Sequence, residues 1–445
     1  MNLLSKYWLC VSWVLIFSVA GVSAAQASVI DDPNNVQWVS FRDLSSSAFS
    51  SHFTKLKNKG YRIIDADAAG GRYSSVWRKS DGRGWYKYRD MKSSTYHKRW
   101  TNLKNRGYRP IDVDAYYKGN ALRYSGIWIK NTENYKWASF RNLTDAQFKA
   151  RFKEYRKKGY MPIDVEGYVV GGKLRYAVIW VENRDRLQWA ERRNMSASSY
   201  RKKWTEYKAK GFRPIDFESY KKGKTQYYAA IWVKNTNSRR WASYRDMSKL
   251  GYANRWRTLR DKGYRLIDFE RYNTSKGYRY AGIWRQNGNR INWKYRVAVD
   301  NKVKEYKDKN KTPGISLAVA KGGKIVYRRG FGYSDVKRKR VAHSETVYYT
   351  ASVGKSIGAT LTMRMKEKLG FDIKKKTRSF IPAMPSHHTH TVEQLLSHRA
   401  CVLNKPSPKP KNQYNSAMSA AKTFWKSPLL SSCTPKIGTG STYKY

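Results

Sequence analysis

Residues 137–181 read WASFRNLTDAQFKARFKEYRKKGYMPIDVEGYVVGGKLRYAVIWV, and this stretch decides how most of the chain folds. From Trp137 to Arg141 apolar and polar side chains alternate, the period of a half-buried strand. Thr144 is a helix-capping residue. Phe148, Phe152 and Tyr155 follow at i, i+4 and i+7, on one helical face. Gly159 ends the helix, because glycine takes the left-handed conformation beyond a helix terminus at little cost. Tyr160–Val165 and Arg175–Val181 predict two further strands. Pro162 cannot donate to a ladder, so its strand lies at an edge or begins there. The unit is therefore strand, helix, strand, strand.

The same unit recurs. Trp38, Trp85, Trp137, Trp189, Trp241 and Trp293 are spaced by 47, 52, 52, 52 and 52 residues. A second series, Trp77, Trp128, Trp180, Trp232 and Trp284, keeps this register. So do Gly60, Gly107, Gly159, Gly211 and Gly263, and Asp65, Asp112, Asp164, Asp216 and Asp268. Three kinds of anchor in one register define five tandem repeats of about 52 residues. Units this small cannot bury their aromatic faces alone and must stack, as an open solenoid or a closed ring. Trp293-Lys294-Tyr295-Arg296 begins a sixth unit that does not continue, and is expected to be a single strand completing a closed or tightly docked array. The aromatic residues hold fixed places on helix and strand faces. That favours core packing over a carbohydrate or base platform. The Ile-Asp of every unit supplies a lone carboxylate, expected as a hydrogen-bond acceptor rather than a cation ligand or acid.

At 445 residues the chain has room for two or three domains. Its 90 Lys+Arg against 32 Asp+Glu give a formal charge of +58. Such charge points to a polyanionic surface as partner, or serves only to keep the protein solvated. Lys6, the apolar run Tyr7–Val22 and the small residues Ser23 to Ala27 read as a signal peptide cleaved near Ala24 to Ala27. The run is short for a membrane span, so a secreted or periplasmic protein without a transmembrane anchor is expected. Export favours a cell-wall polymer or anionic lipid over nucleic acid, which is not expected. Cys10 leaves with the signal peptide. Cys401 and Cys433 are expected to form one disulfide, worth about 3–4 kcal/mol on the chain-entropy account, with two unpaired thiols as the alternative.

After Arg296 the repeat pattern stops, giving domains at 1–27 (signal peptide), 28–296 (repeats) and 297–445. Val297–Lys309 predicts an amphipathic helix. Gly314–Ala320 predicts a buried strand, Lys321–Lys324 a hairpin turn and Ile325–Gly330 the returning strand. Ser352 then opens a predicted helix running to about Leu369, with Lys355 three residues on and on the same face. A serine becomes a nucleophile when a neighbouring base takes its proton, and a desolvated lysine can do so. Ser199, Ser219, Ser334, Ser419 and Ser441 also begin Ser-x-x-Lys, but only Ser352 combines a preceding hairpin with a following helix. His387, His388 and His390 have no cysteine or carboxylate at a useful spacing, so neither a metal nor any other cofactor is expected.

The run Thr312–Tyr445 resembles the front part of the serine β-lactamase and penicillin-binding family, class C type. TPGISLAVAKGGKIVYRRGFGYSD is similar to its opening hairpin, TASVGKSIGATL to its nucleophile helix and HTVEQLLSHRACV to its Thr-x-x-x-Leu-Leu-x-His segment. Thr439 to Tyr445 resembles its Pro-Gly-Thr run leading into Tyr-x-Asn, with Thr439 in place of proline. Arg399-Ala400-Cys401 stands where the family has Thr-Ser-Gly. Repeats joined to such a domain resemble the polyglycine hydrolases. The resemblance implies an α+β chain in which the repeats precede the N-terminal part of a β-lactamase-like α/β sandwich. It implies Ser352 as the acylated nucleophile, Lys355 as its activator and Tyr445 as proton shuttle, acting on an amide or ester. The asparagine two residues beyond Tyr445 and the Lys/His-Thr-Gly strand do not follow, so the expectation is a piece of a longer enzyme that does not itself turn over. The alternative is a non-catalytic secreted repeat protein that binds anionic cell-wall or glycan surfaces.

Overall fold

The computed structural model describes residues 30, 32–288, 293–402, 422, 425 and 429, which fall into two compact units divided between Thr346 and Val347. The first repeat is β1 (Trp38–Leu44), α1 (Ser46–Asn58), β2 (Tyr61–Ala69) and β3 (Arg72–Lys79). The second is β4 (Trp85–Met91), α2 (Ser93–Asn105), β5 (Tyr108–Lys118) and β6 (Ala121–Lys130). The third is β7 (Trp137–Leu143), α3 (Asp145–Lys157), β8 (Tyr160–Val170) and β9 (Lys173–Glu182). The fourth is β10 (Trp189–Met195), α4 (Ala197–Ala209), β11 (Phe212–Lys222) and β12 (Thr225–Lys234). The fifth is β13 (Trp241–Met247), α5 (Lys249–Asp261), β14 (Tyr264–Thr274) and β15 (Gly277–Gln286).

Each repeat folds as its sequence directs. Thr144 and Gln147 form a capping box at the start of α3, and Gly159 takes φ 78° beyond its end. In every repeat the last strand lies between the other two in an antiparallel sheet. The second tryptophan series therefore sits on the central strand, where each indole is at most 1 % exposed. Pro162 stands on β8, an edge strand of its sheet, beside a bulge that begins at that residue.

The five sheets close into a ring. Strand β2 contacts β5, β5 contacts β8, β8 contacts β11, β11 contacts β14, and β14 returns to β2. One arginine per repeat clasps the repeat before it, lying over two of its aromatic rings. Arg141 stands 4.1 Å and 4.4 Å from the centroids of Tyr96 and Tyr124. Arg42 closes the circle over Tyr252 and Tyr280 of the fifth repeat, at 5.2 Å and 5.5 Å. The next residue, Asp43, Asp90, Asn142, Asn194 or Asp246, takes a positive φ of 55–58°, tolerated best by Asp and Asn. Its side chain accepts a tyrosine hydroxyl from the preceding repeat. Tyr176 reaches Asn194 at 2.6 Å, and at the seam Tyr280 reaches Asp43 at 2.9 Å.

The Ile-Asp carboxylates act as acceptors between repeats. Val113 N–H donates to Asp164 and Val165 N–H to Asp216, each at 3.1 Å. At the ring's mouth Asp32 accepts from Arg213 (3.1 Å), Arg265 (2.7 Å) and Arg285 (2.8 Å), with Arg239 3.3 Å away. Asp32 and Ile30 line a cavity of about 120 Å³ with Ile64, Ile111, Ile163, Ile215 and Ile267, one isoleucine per repeat.

One expectation is corrected here. Trp293–Tyr295 is not a strand of the array: it is a turn leading into α6 (Arg296–Lys309), and Trp293 stacks on Tyr327 with ring centroids 5.6 Å apart. The first and fifth repeats meet directly, so no extra strand is needed.

Candidate active site

The hairpin predicted after the repeats is β16 (Gly314–Lys321) and β17 (Lys324–Asp335), followed by the short β18 (Arg340–Val341). Strand β16 is half-buried rather than buried, because Ala318 and Ala320 are exposed. In the first unit this hairpin docks on α5. Asp261 accepts from Gly330 N–H (3.0 Å), Ser344 N–H (3.0 Å) and Ser344 Oγ (2.6 Å). Asn254 donates to Lys339 O at 2.9 Å and accepts from Val341 N–H at 3.2 Å. The other repeats carry Asn58, Asn105, Lys157 and Ala209 where the fifth has Asp261. That break in the repeat pattern is a signal of docking which counting the anchors overlooked.

In the second unit α7 (Val353–Leu369) holds the predicted serine and lysine. The helix contains no proline and ends at Gly370, whose φ of 64° is the left-handed terminator glycine supplies most readily. Ala351 takes φ 43°, a region non-glycine residues seldom occupy, and so turns the chain sharply into Ser352. Ser352 is the N-cap residue, but its hydroxyl makes no capping bond. Lys355 Nζ donates to Ser352 Oγ at 2.8 Å instead. The pair stands in the positive field of the helix N-terminus, where developing negative charge on the oxygen is favoured. Lys355 is exposed and no residue of α7 is buried. Val353, Ile357 and Leu361, one apolar stripe at i, i+4 and i+8, are 66 %, 62 % and 62 % exposed. Tyr445 and Cys433 lie outside the described residues.

Downstream come α8 (Thr377–Phe380) and α9 (Val392–Leu396). Thr391 and Gln394 form a capping box at the start of α9. The histidines before it make a buried hydrogen-bonded chain. Thr377 Oγ1 meets His390 Nδ1 at 3.1 Å, His390 Nε2 meets His388 Nδ1 at 3.2 Å, and His388 Nε2 meets the carbonyl of Trp425 at 2.8 Å. Burial, and then the neighbouring His388, hold His390 below the usual imidazole range. These nitrogens are committed to holding the segment together.

The β-lactamase family of serine hydrolases matches residues 299–444, the stretch that holds Ser352 and Lys355. The polyglycine hydrolase-like structural repeat matches residues 35–80, 82–131, 134–183, 186–235 and 238–287. The chain belongs to the family with the polyglycine hydrolase-like structural repeat, and in this chain a β-lactamase domain follows the repeats. Among relatives, penicillin-binding protein PbpX of Bacillus subtilis (strain 168) is 29 % identical over 84 residues, 19 % of this chain and 22 % of that protein. The mitochondrial serine beta-lactamase-like protein LACTB is 32 % identical over 79 residues in both Mus musculus and Homo sapiens, 18 % of this chain and 14 % of each relative. The matched stretches thus span less than a quarter of these relatives. Among the described residues no helix is long and apolar enough to cross a membrane.

Proposed function

We propose that the chain is the ring and the front part of a secreted serine hydrolase that forms an acyl-enzyme at Ser352. The observation that carries this is the 2.8 Å hydrogen bond from Lys355 Nζ to Ser352 Oγ at the start of α7. Lys355 withdraws the hydroxyl proton as Ser352 Oγ attacks the carbonyl carbon of an amide or ester. Tyr445 passes that proton to the leaving group, and water then releases the acyl group. An amine acts as base only when it is desolvated, and Lys355 is exposed. The cover over α7, and the oxyanion donors, would come from the remainder of a longer enzyme, so the chain by itself is expected not to turn over. Glycine-rich peptide is among the amides to test, because the repeats match those of polyglycine hydrolases. Cys401 is not a free thiol, which supports its pairing with Cys433. The signal peptide ending near Ala24 to Ala27 and the domain boundary near residue 297 belong to the same reading, as does a role for the basic ring in holding substrate or an anionic surface. In the alternative, the ring does all the work and binds without catalysis; the exposure of Lys355 favours it for the chain taken alone.

A fluorophosphonate or β-lactam probe, applied to the chain extended by its downstream coding sequence, is expected to label Ser352, with labelling abolished in Ser352→Ala. Labelling that survives the substitution would overturn the assignment.

A further inference from the structure

The junctions between repeats are built alike but not filled alike. At three of them a helix tryptophan donates its indole N–H to a serine of the next repeat. Trp100 reaches Ser139 at 2.7 Å, Trp204 reaches Ser243 at 2.7 Å, and Trp256 reaches Ser40 at 2.9 Å. At the fourth-to-fifth junction this construction opens into a pocket of about 470 Å³ lined by Tyr200, Arg201, Trp204, Tyr244 and Arg245. At the fifth-to-first junction the equivalent pocket is about 200 Å³ and lined by Phe41, Arg42, Tyr252, Trp256 and Arg257.

Each pocket has two guanidinium groups with different duties. Arg245 and Arg42 are clasps, already paired with Asp246 and Asp43. Arg201 and Arg257 are extra and make no ion pair among the described residues. Arg257 has no arginine counterpart: Thr54, Thr101, Lys153 and Thr205 hold its place in the other repeats. Its Nη1 is buried without a hydrogen-bond partner among the described residues. Burial, and then the like charges of Arg340 and Arg42, hold this group below the usual guanidinium range. A buried donor facing like charge is costly unless an anion completes it.

We propose that these two pockets bind the acidic sugar units of an anionic polysaccharide, the aromatic wall stacking on the sugar ring and the extra guanidinium, Arg201 or Arg257, taking its carboxylate. The proposal rests on the reading of the ring as a surface-binding part. The smaller pocket has room for one ring carrying one charged group. Two such pockets one repeat apart let a polymer with regularly spaced charges engage both, which raises its avidity over that of a single unit. The excess of positive charge on the chain steers such a polymer inward.

The full chain is titrated with a galacturonic acid oligomer while tryptophan fluorescence is followed. An uncharged galactose oligomer, a phosphate-bearing glycan oligomer, inorganic phosphate and single-stranded oligo-dT are run alongside. The acidic oligomer is expected to bind and to perturb the fluorescence, with the neutral one at least about tenfold weaker. Arg201→Gln and Arg257→Gln are each expected to weaken binding about tenfold, the loss of one charge-assisted contact, and together to abolish it. Arg201 is exposed, so its variant remains informative even if Arg257→Gln lowers the melting temperature. A phosphate-bearing oligomer binding more tightly than the carboxylated one would reassign the charged group. Equal binding of the neutral oligomer, unchanged binding in the double variant, tighter binding of oligo-dT, or full competition by inorganic phosphate at equal concentration would each overturn the proposal. Probe labelling of Ser352 is read separately, so failure here and failure of the hydrolase reading are distinguishable.

Discussion

Helix α7 is at least as apolar in sequence as the ring helices, yet it is buried less. Helix α3 places Phe148 wholly out of solvent, and each other ring helix buries two side chains, whereas α7 buries none. The difference lies in closure. Every ring helix packs on its own sheet, and every sheet has a neighbour on both sides because the fifth repeat meets the first. The ring therefore supplies its own cover. Helix α7 leaves the stripe Val353, Ile357 and Leu361 facing water, the kind of surface that marks an interface. Placing a serine beside a lysine takes one helical turn; desolvating that lysine takes tertiary packing over the helix.

This contrast can be broken or sharpened by substitution and by pH. The largest loss is expected from Trp180→Ala, which empties a fully buried indole site and costs about 3–5 kcal/mol by chemical denaturation of the ring. Asp32→Asn is expected to approach the same loss, about 3–5 kcal/mol, because it leaves Arg213, Arg265 and Arg285 buried without their counter-charge. A loss under 1 kcal/mol in urea melts would mean that the residues at the mouth are not holding the ring.

The pH effect comes next in size. Ten of the 32 acidic residues stand around the ring's centre: Asp65, Asp112, Asp164, Asp216 and Asp268, then two residues on Asp67, Asp114, Glu166, Glu218 and Glu270. Burial is the chief cause raising all ten, taking Asp112 to about 6 and Asp67 to about 7. Lys87 opposes it at Asp112, and a hydrogen bond with Glu270, then Arg271, at Asp67. Carboxyls raised on folding hold protons that the unfolded chain has given up, so stability is fully present below the unfolded value and falls as pH rises through the folded ones. The ring's melting temperature is expected to drop by roughly 5 °C or more from pH 5 to pH 8, the change that about 2 kcal/mol produces in a domain of this size. A rise over that interval would contradict the protonated centre. The smallest effect is Ile357→Ser, expected to change stability by less than about 0.5 kcal/mol because the side chain is already exposed.

Features that repeat at short range were legible in the sequence. The helix from the Thr144 cap to Gly159, the buried second tryptophan series and the Lys355–Ser352 pairing all follow from local spacing. Closure was not legible, because it depends on the rotation between successive repeats adding up to a full turn, and no single residue carries that quantity. The clasping arginines and the positive-φ Asp or Asn beside them were visible as a repeated Arg-Asp or Arg-Asn pair, but their partners lie one repeat away. Asp32 could not be found from any pattern, since it occurs once and its partners are some 180 to 250 residues distant. Trp293 misled because it keeps the tryptophan register while serving as the turn into α6.

Hydrogen exchange across the ring tests its closure most directly. Peptides covering β2 and β14, which form the seam, are expected to exchange as slowly as β8 on the opposite side, while α7 exchanges far faster than any of them. Fast exchange confined to β2 and β14 would show an open array, and an α7 as protected as the ring strands would contradict the account of an uncovered α7.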